Sequence, residues 1–407
     1  MNSHVARQPI LDTEAQTVAY ELLFRSSAVA ESFGANDPDV AAKRVVHDSI
    51  LVFDWKTLTG GRRAFVNLTR SALLSGAARL LPADQTAVEI LESVEPDEAV
   101  VRAVVELKNA GYPIALDDFV PAPKWAPLLA VADYVKIDFL AMKDPEERAS
   151  VARTLIPRGI KLVAEKVETR EEFAQARQLG YALFQGFYFC RPQTLSARDV
   201  PASKISCVHL LAELNAADVG FERIEGIIKR DVALTVKLLR YLNSAAFGFR
   251  NPISSVRQGL SLLGERALRH WASIVGLTSL GEGKPSELVK ICLARALFLE
   301  SLAPKAGLGR YAQDVFLLGL LSAVDALVGR PMAELLTSMS VAPNVRSALL
   351  GQPSPLDPLW TLVTSWERGN FQDSEAYADV LGVPLPLVAE AYQSAVAAAE
   401  QAYRHAQ

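Results

Sequence analysis

Seven bursts of Val, Ile, Leu, Phe and Tyr constrain how the first 190 residues can fold. They fall at residues 18–24, 63–68, 86–91, 113–119, 134–140, 161–167 and 183–189. Each is bounded by turn formers or charges, as buried strands are. Between several of them apolar residues recur at helical spacing, over 37–53, 96–110, 145–157 and 169–180. Asp37-Pro38 supplies an N-cap and a first-turn proline for the earliest of these helices. Repeated β–α alternation predicts a parallel sheet, open or closed into a barrel.

The grammar changes past residue 200. From Ser206 onward strand bursts give way to Leu, Ile, Val and Ala at helical spacing, over 224–243, 258–280, 285–306, 314–327, 376–380 and 386–403. Glycines and prolines such as Gly248, Pro252, Gly283, Pro285, Pro353 and Pro355 punctuate them, as in an all-α bundle. A length of 407 residues accommodates two domains. The expected division is 1–197 for the α/β part, 198–205 for a linker and 206–407 for the helical part.

Charge narrows the partners. Residues 1–200 carry 23 Lys+Arg against 27 Asp+Glu, and residues 201–407 carry 19 of each. Neither half has the basic excess that a phosphate polymer demands, so binding to a nucleic-acid polymer is not expected. No apolar run approaches the ~18–20 residues that span a bilayer, and residues 1–10 lack the apolar centre of a signal peptide. Cys190, Cys207 and Cys292 fit neither a disulfide framework nor a zinc knuckle. These features predict a cytoplasmic protein without membrane insertion.

Polar residues interrupt the strands of the α/β half at regular places. Glu21, Asn67, Glu89, Asp117, Asp118, Lys136, Glu165 and Gln185 recur about once per β-unit. A charge in a buried strand is costly unless it is paired or metal-bound. Taken singly, each such residue is ordinarily structural. Eight in series point to one shared site, because the C-terminal ends of barrel strands converge on one face. Carboxylates with one Asn form an all-oxygen set suited to Mg²⁺ or Mn²⁺. Asp117-Asp118 suits a pair of ions ~3.5–4 Å apart, an arrangement that clamps a phosphoryl group for attack by water.

Several short motifs run through the same half: Glu21-Leu22-Leu23 with Arg25, Val66-Asn67-Leu68, Glu89 with Glu92, Asp117-Asp118-Phe119, Lys136-Ile137-Asp138, Ala164-Glu165-Lys166-Val167-Glu168 and Gln185-Gly186-Phe187. In order and spacing they resemble the EAL domain of bacterial cyclic di-GMP phosphodiesterases, a modified (β/α)8 barrel, over residues 4–197. In the second half, Arg230-Asp231-Val232-Ala233-Leu234, Leu242-Asn243-Ser244-Ala245 and Leu262-Leu263-Gly264 resemble an HDOD domain. That all-helical relative of HD phosphohydrolases lacks their metal-binding His-Asp pair. Here Asp325 follows Val324, and none of His209, His270 and His405 stands beside an Asp.

The resemblance implies a two-metal site for Mg²⁺ or Mn²⁺. Glu21, Asn67, Glu89 and Asp117 would hold one ion, and Asp117, Asp118 and Glu165 the second. A water activated between them would open cyclic di-GMP to linear pGpG. Lys136 and Glu165 would act on that water, with Glu168 and Gln185 in support. Gln8 and Arg25 would contact substrate, and Glu92 would steady the loop after Asp118. The HDOD domain would be a regulatory module for an unidentified protein partner, and members of the family often form homodimers. Three departures stand out: Leu22 replaces Ala, Lys166 replaces Gly, and a Gly/Ser-rich loop becomes Phe119-Val120-Pro121-Ala122-Pro123-Lys124-Trp125. They leave two alternatives to catalysis, a cyclic di-GMP receptor and a protein-interaction scaffold.

Overall fold

Strand alternation, inward then outward, builds the first unit of the chain. The computed structural model describes residues 3–26, 58–186, 211, 221–230, 235–236, 238–239, 242–243, 253, 255–337, 339 and 341–406. Eight strands close a barrel in chain order: β1 (Ser3–Leu11), β2 (Thr17–Ser26), β3 (Arg63–Leu68), β4 (Thr86–Ile90), β5 (Ile114–Leu116), β6 (Tyr134–Asp138), β7 (Lys161–Glu165) and β8 (Leu183–Phe184). From β2 to β8 neighbours are parallel. Strand β1 runs antiparallel to both β2 and β8 and closes the ring. A (β/α)8-like barrel followed by a helical part is the architecture the sequence predicts.

Strand β1 is the element that the pattern of apolar bursts does not show. Its Arg7 is buried, stacked 4.4 Å from the centroid of Tyr20 and donating from Nη1 to the Leu58 carbonyl at 2.5 Å. Such partners let a strand carry a buried guanidinium. Other strands stop short of their predicted ends. β5 covers only Ile114–Leu116, because Asp118 turns out of the ladder with φ +39°. β6 ends at Asp138, whose Oδ1 accepts from the backbone N–H of Leu140 and Ala141.

The barrel has two apolar layers. Inside lie Ile10, Ala19, Phe65, Ala87, Ala115, Tyr134 and Val163, a plug of mostly small side chains. Outside, the opposite strand faces pack on the helices through Val66, Val88, Ile90, Val135, Ile137 and Leu162. The helices begin where the chemistry predicts. Asp97 accepts from Val100 N–H to cap Glu98–Asn109, and Asp144 caps Pro145–Leu155 with Pro in its first turn. Thr169 and Glu172 form a reciprocal capping box on Arg170–Gln178, a device worth about 1 kcal/mol. The helix expected over 37–53 and the linker expected over 198–205 lie outside the described residues.

The chain divides into two units, Met1–Phe189 with Thr364–Glu375 and Pro384–Ala389, and Cys190–Val363 with Ala376–Val383 and Glu390–Gln407. The second unit is helical. Val256–Leu280 bends at Gly264, and Ser286–Leu302 approaches Ala312–Leu321 so closely that a Cβ on Gly319 would strike the backbone of Ala296. One core of that unit gathers Ile228, Leu238, Leu242, Ile253, Val256, Trp271, Ala272 and Val275. Short helices at Met332–Thr337 and Pro343–Leu349 go unannounced by periodicity, since 6 or 7 residues hardly complete two turns. Among the described residues no single helix is long and apolar enough to cross a membrane.

Candidate active site

Two residues beyond the inner plug, strand after strand presents a polar side chain on the same face. Ala19 is followed by Glu21, Phe65 by Asn67, Ala87 by Glu89, Ala115 by Asp117, Tyr134 by Lys136, Val163 by Glu165 and Leu183 by Gln185. Parallel register sets Asn67 beside Glu89 and Asp138 beside Glu165, while antiparallel β1 sets Gln8 beside Glu21. One layer of the barrel is thus polar where the layer beneath it is dry.

Lys136 is the hub of that layer. Its side chain is 1% exposed, and Nζ lies 2.8 Å from Asp117 Oδ1, 2.8 Å from Glu165 Oε1, 2.9 Å from Glu89 Oε1 and 3.1 Å from Glu21 Oε2. Gln185 Nε2 donates to both Glu21 Oε2 and Gln8 Oε1 at 2.8 Å, and Asn67 Nδ2 donates to Glu21 Oε1 at 2.7 Å. One ammonium faces four carboxylates, so the layer carries an excess of negative charge that protons or a cation must offset.

The titration of each acid follows from that imbalance. Burial opposes ionisation of Glu21, but the Lys136 charge and hydrogen bonds from Gln185, Lys136 and Asn67 outweigh it and hold the carboxyl below the usual range. Burial pushes Glu89 well up; Lys136 opposes this, while Glu21, Asp117 and Glu165 add to it. Burial likewise raises Glu165 to about 8, with Asp117 and Glu21 working against the pull of Lys136. Burial works to lower Lys136, yet the surrounding acids raise it well above the usual lysine range. Lys136 is therefore held in its charged form, while Glu89 and Glu165 are both biased toward the protonated form, Glu165 up to about 8.

A second group lies beside the first. Asp117, Asp118 and Glu165 can each offer a ligand oxygen, all within 4.8 Å of one another. Burial, then the Asp117 charge, pushes the Asp118 carboxyl up. Lys166 approaches from the edge, its Nζ 2.5 Å from Asp138 Oδ2 and 3.8 Å from Asp118 Oδ1. Both Asp118 and Lys166 have left-handed backbones, with φ +39° and +52°, which costs a residue with a Cβ about 1 kcal/mol or more. Arg148 supports the turn behind Asp138, donating to the carbonyls of Phe139 and Met142 at 2.8 and 2.6 Å.

Most residues that the sequence singles out meet around one cavity of about 450 Å³: Gln8, Glu21, Asn67, Asp117, Asp118, Lys136, Glu165, Glu168 and Gln185 line it. Glu89 is fully buried against Lys136. Glu92 is exposed on the turn after β4, near enough to oppose the Asp118 charge. The loop after Asp118 is tied to that turn through Lys124 Nζ and Glu95 Oε2, 3.2 Å apart, and anchored by buried Trp125 against Phe119. Arg25 lies opposite His4 in the ladder, and its side chain lies outside the described residues. Sequence reasoning missed Arg368, which lines the cavity from the segment Thr364–Glu375 of the same unit. Nothing in its local sequence marks it.

The residues fit a divalent cation. Asn67 Oδ1, Glu89 Oε2 and Asp118 Oδ1 are buried and find no hydrogen-bond partner among the described residues, and orphaned buried oxygens are costly without a ligand. All are hard donors of the kind that Mg²⁺, Mn²⁺ and Ca²⁺ select. Because Glu165 keeps its proton up to about pH 8, a cation must displace that proton, and affinity should rise as pH rises through 8. Calorimetric titration with Mn²⁺ in buffers of different ionisation enthalpy should show about one more proton released at pH 6.5 than at pH 9. Equal release at both would contradict the assignment.

Comparison with known proteins gives the site its context. A family profile described as the EAL domain matches residues 56–192, and one described as the HDOD domain matches residues 200–338. The chain is 33% identical over 385 residues, 94% of its length, to 89% of a Vibrio cholerae protein named cyclic di-GMP phosphodiesterase CdgJ. The chain belongs to the EAL–HDOD family. It is also 35% identical over 379 residues to the uncharacterized Bacillus subtilis protein YuxH, covering 91% of this chain and 92% of that one. Among solved structures it is similar to a calcium/cy-diGMP complex of BlrP1 from Klebsiella pneumoniae. That likeness has 26% identity and a TM-score of 0.39, and spans 47% of this chain and 56% of that one.

In this EAL–HDOD chain the profile match begins after Glu21, yet β2 carries Glu21 into the ring of acids through its register with β1 and β3. In the HDOD region Asp325 is half-buried, which pushes its carboxyl up to about 6, and its Oδ1 accepts from Ala326 N–H at 2.8 Å. Among the described residues, the Asp117, Asp118 and Glu165 group is the one set of His, Cys, Asp or Glu spaced to hold a metal.

Proposed function

We propose that the barrel hydrolyses one phosphodiester of cyclic di-GMP to give linear pGpG with Mg²⁺ or Mn²⁺, and that the HDOD region is a regulatory or partner-binding module. The single observation that carries this reading is the ring of hard oxygen donors, several of them orphaned, at the floor of a cavity large enough for a ligand. The name of the Vibrio cholerae relative, a cyclic di-GMP phosphodiesterase, supports the choice of substrate. Domain limits of 1–197 and 206–407 with a linker at 198–205 are part of the proposal.

Glu21, Asn67, Glu89 and Asp117 would hold one ion and Asp117, Asp118 and Glu165 the other. Such ions supply a nucleophile at neutral pH and positive charge for the phosphoryl oxygens. The chain's own groups do the positioning. Lys136 Nζ holds four carboxylates of the site in one arrangement and adds fixed positive charge beside them. Gln185 links Glu21 to Gln8, and so couples the floor of the cavity to its β1 wall. Glu165 can hold or release a proton near neutral pH, which suits a group that handles the proton of an attacking water.

The test is incubation of the purified full chain with cyclic di-GMP and Mg²⁺ or Mn²⁺, following pGpG by chromatography beside Glu21→Ala. Product that requires the metal and is absent from the variant is the expected result. Tight binding of cyclic di-GMP with no product would replace the enzyme with a receptor.

A further inference from the structure

We propose that the Lys166 ammonium is a tethered cation at the second ion position, so that this barrel holds one divalent ion tightly rather than two. The inference rests on the metal-dependent reading above and concerns which of its two positions is filled by an ion.

Lys166 is half exposed, yet its ammonium is held by a specific partner. Its Nζ lies 2.5 Å from Asp138 Oδ2, and Asp138 is itself immobilised, since its Oδ1 accepts from Leu140 N–H at 2.7 Å and Ala141 N–H at 3.1 Å. From there the ammonium stands 3.8 Å from Asp118 Oδ1, a buried oxygen with no hydrogen-bond partner among the described residues. The backbone of both residues is held in the left-handed region, at φ +52° for Lys166 and +39° for Asp118. A lysine serving only as a solvated surface charge has no need of that conformation, whereas glycine would adopt it without strain. From that backbone the side chain reaches Asp138 at 2.5 Å and Asp118 at 3.8 Å.

Charge decides which position keeps its ion. Around Lys136 four carboxylates face one ammonium. At the second position Asp117 and Glu165 already share the Lys136 ammonium, and Asp118 faces a second ammonium, that of Lys166. A divalent ion ligated by Asp118 would lie within a few Å of the Lys166 charge and be repelled by it. The set of Glu21, Asn67, Glu89 and Asp117 retains the stronger pull. Lys166 acts here as a positioning residue: it steadies Asp118 and contributes one positive charge where a second ion would contribute two.

Equilibrium dialysis with Mn²⁺ on the full chain tests this at fixed pH, comparing the native protein with Lys166→Gly and Lys166→Arg. About one tightly bound ion is expected in the native protein and in Lys166→Arg, which keeps the charge. About two are expected in Lys166→Gly, with the second bound at least about tenfold more tightly than in the native protein. Lys166→Gly also relieves the left-handed strain, so loss of folding is not the expected outcome. Equal counts in native protein and Lys166→Gly, whether one or two, would overturn the inference and leave the metal-dependent reading standing. No bound ion in any of the three would overturn both.

Discussion

Replacing Asp117 by Asn is expected to lower cyclic di-GMP hydrolysis by about 10³-fold or more, with the fold intact. Asp117 stands where the two proposed ligand sets meet. Its Oδ1 is 2.8 Å from Lys136 Nζ, and it belongs with Asp118 and Glu165 to the group spaced for a cation. Loss of a shared ligand removes several kcal/mol of transition-state charge stabilisation, and about 4 kcal/mol corresponds to 10³ in rate. The amide preserves shape and a hydrogen-bonding oxygen, and Lys136 keeps Glu21, Glu89 and Glu165 as partners. Stability should therefore change little. Turnover measured with saturating Mn²⁺, alongside a thermal melt, separates the two effects. A variant within tenfold of the native rate would sink the assignment of Asp117 to the centre of the site.

Much of this site is readable in the sequence because alternation has a strict period of two. Once residues 63–68 and 86–91 are taken as strands, Asn67 and Glu89 must share a face with Phe65 and Ala87. Seven strands repeating that relation place their polar residues in one layer. Distances within the layer are another matter. Lys136 falls in sequence among residues of several roles, and only the closed barrel shows it touching Glu21 from 115 positions away. Strand β1 is hard to read from sequence because it carries a buried Arg7 on its outer face and Pro9 in its middle, features that ordinarily argue against a buried strand. Its antiparallel pairing closes the ring and brings Gln8 to Glu21. For Lys166 the sequence leaves open a cation competing for a nearby carboxylate or a side chain pointing into solvent, and neither its positive φ nor its hold on Asp138 follows from composition.

Lys136→Met should show the largest effect on stability, and its sign with pH follows from the same charges. The ammonium is the shared partner of Glu21, Glu89, Asp117 and Glu165. Removing one member of a buried ionic cluster typically costs about 3–5 kcal/mol, because the remaining charges are left without compensation. Protons can relieve part of that cost. Glu89 and Glu165 already have raised carboxyl groups, the latter at about 8, and loss of Lys136 removes the charge that lowers both and the hydrogen bond that also lowers Glu165. A carboxyl whose folded pKa exceeds its unfolded value favours the fold at low pH and loses that contribution as pH rises through the folded pKa. The variant should therefore melt close to the native protein near pH 5 and well below it at pH 9, in EDTA. A divalent cation supplies the missing positive charge, so Mn²⁺ at pH 9 should raise the melting temperature of Lys136→Met more than that of the native protein. A deficit that is the same at both pH values, or that Mn²⁺ fails to reduce, would show that Lys136 packs the barrel rather than balancing its acids.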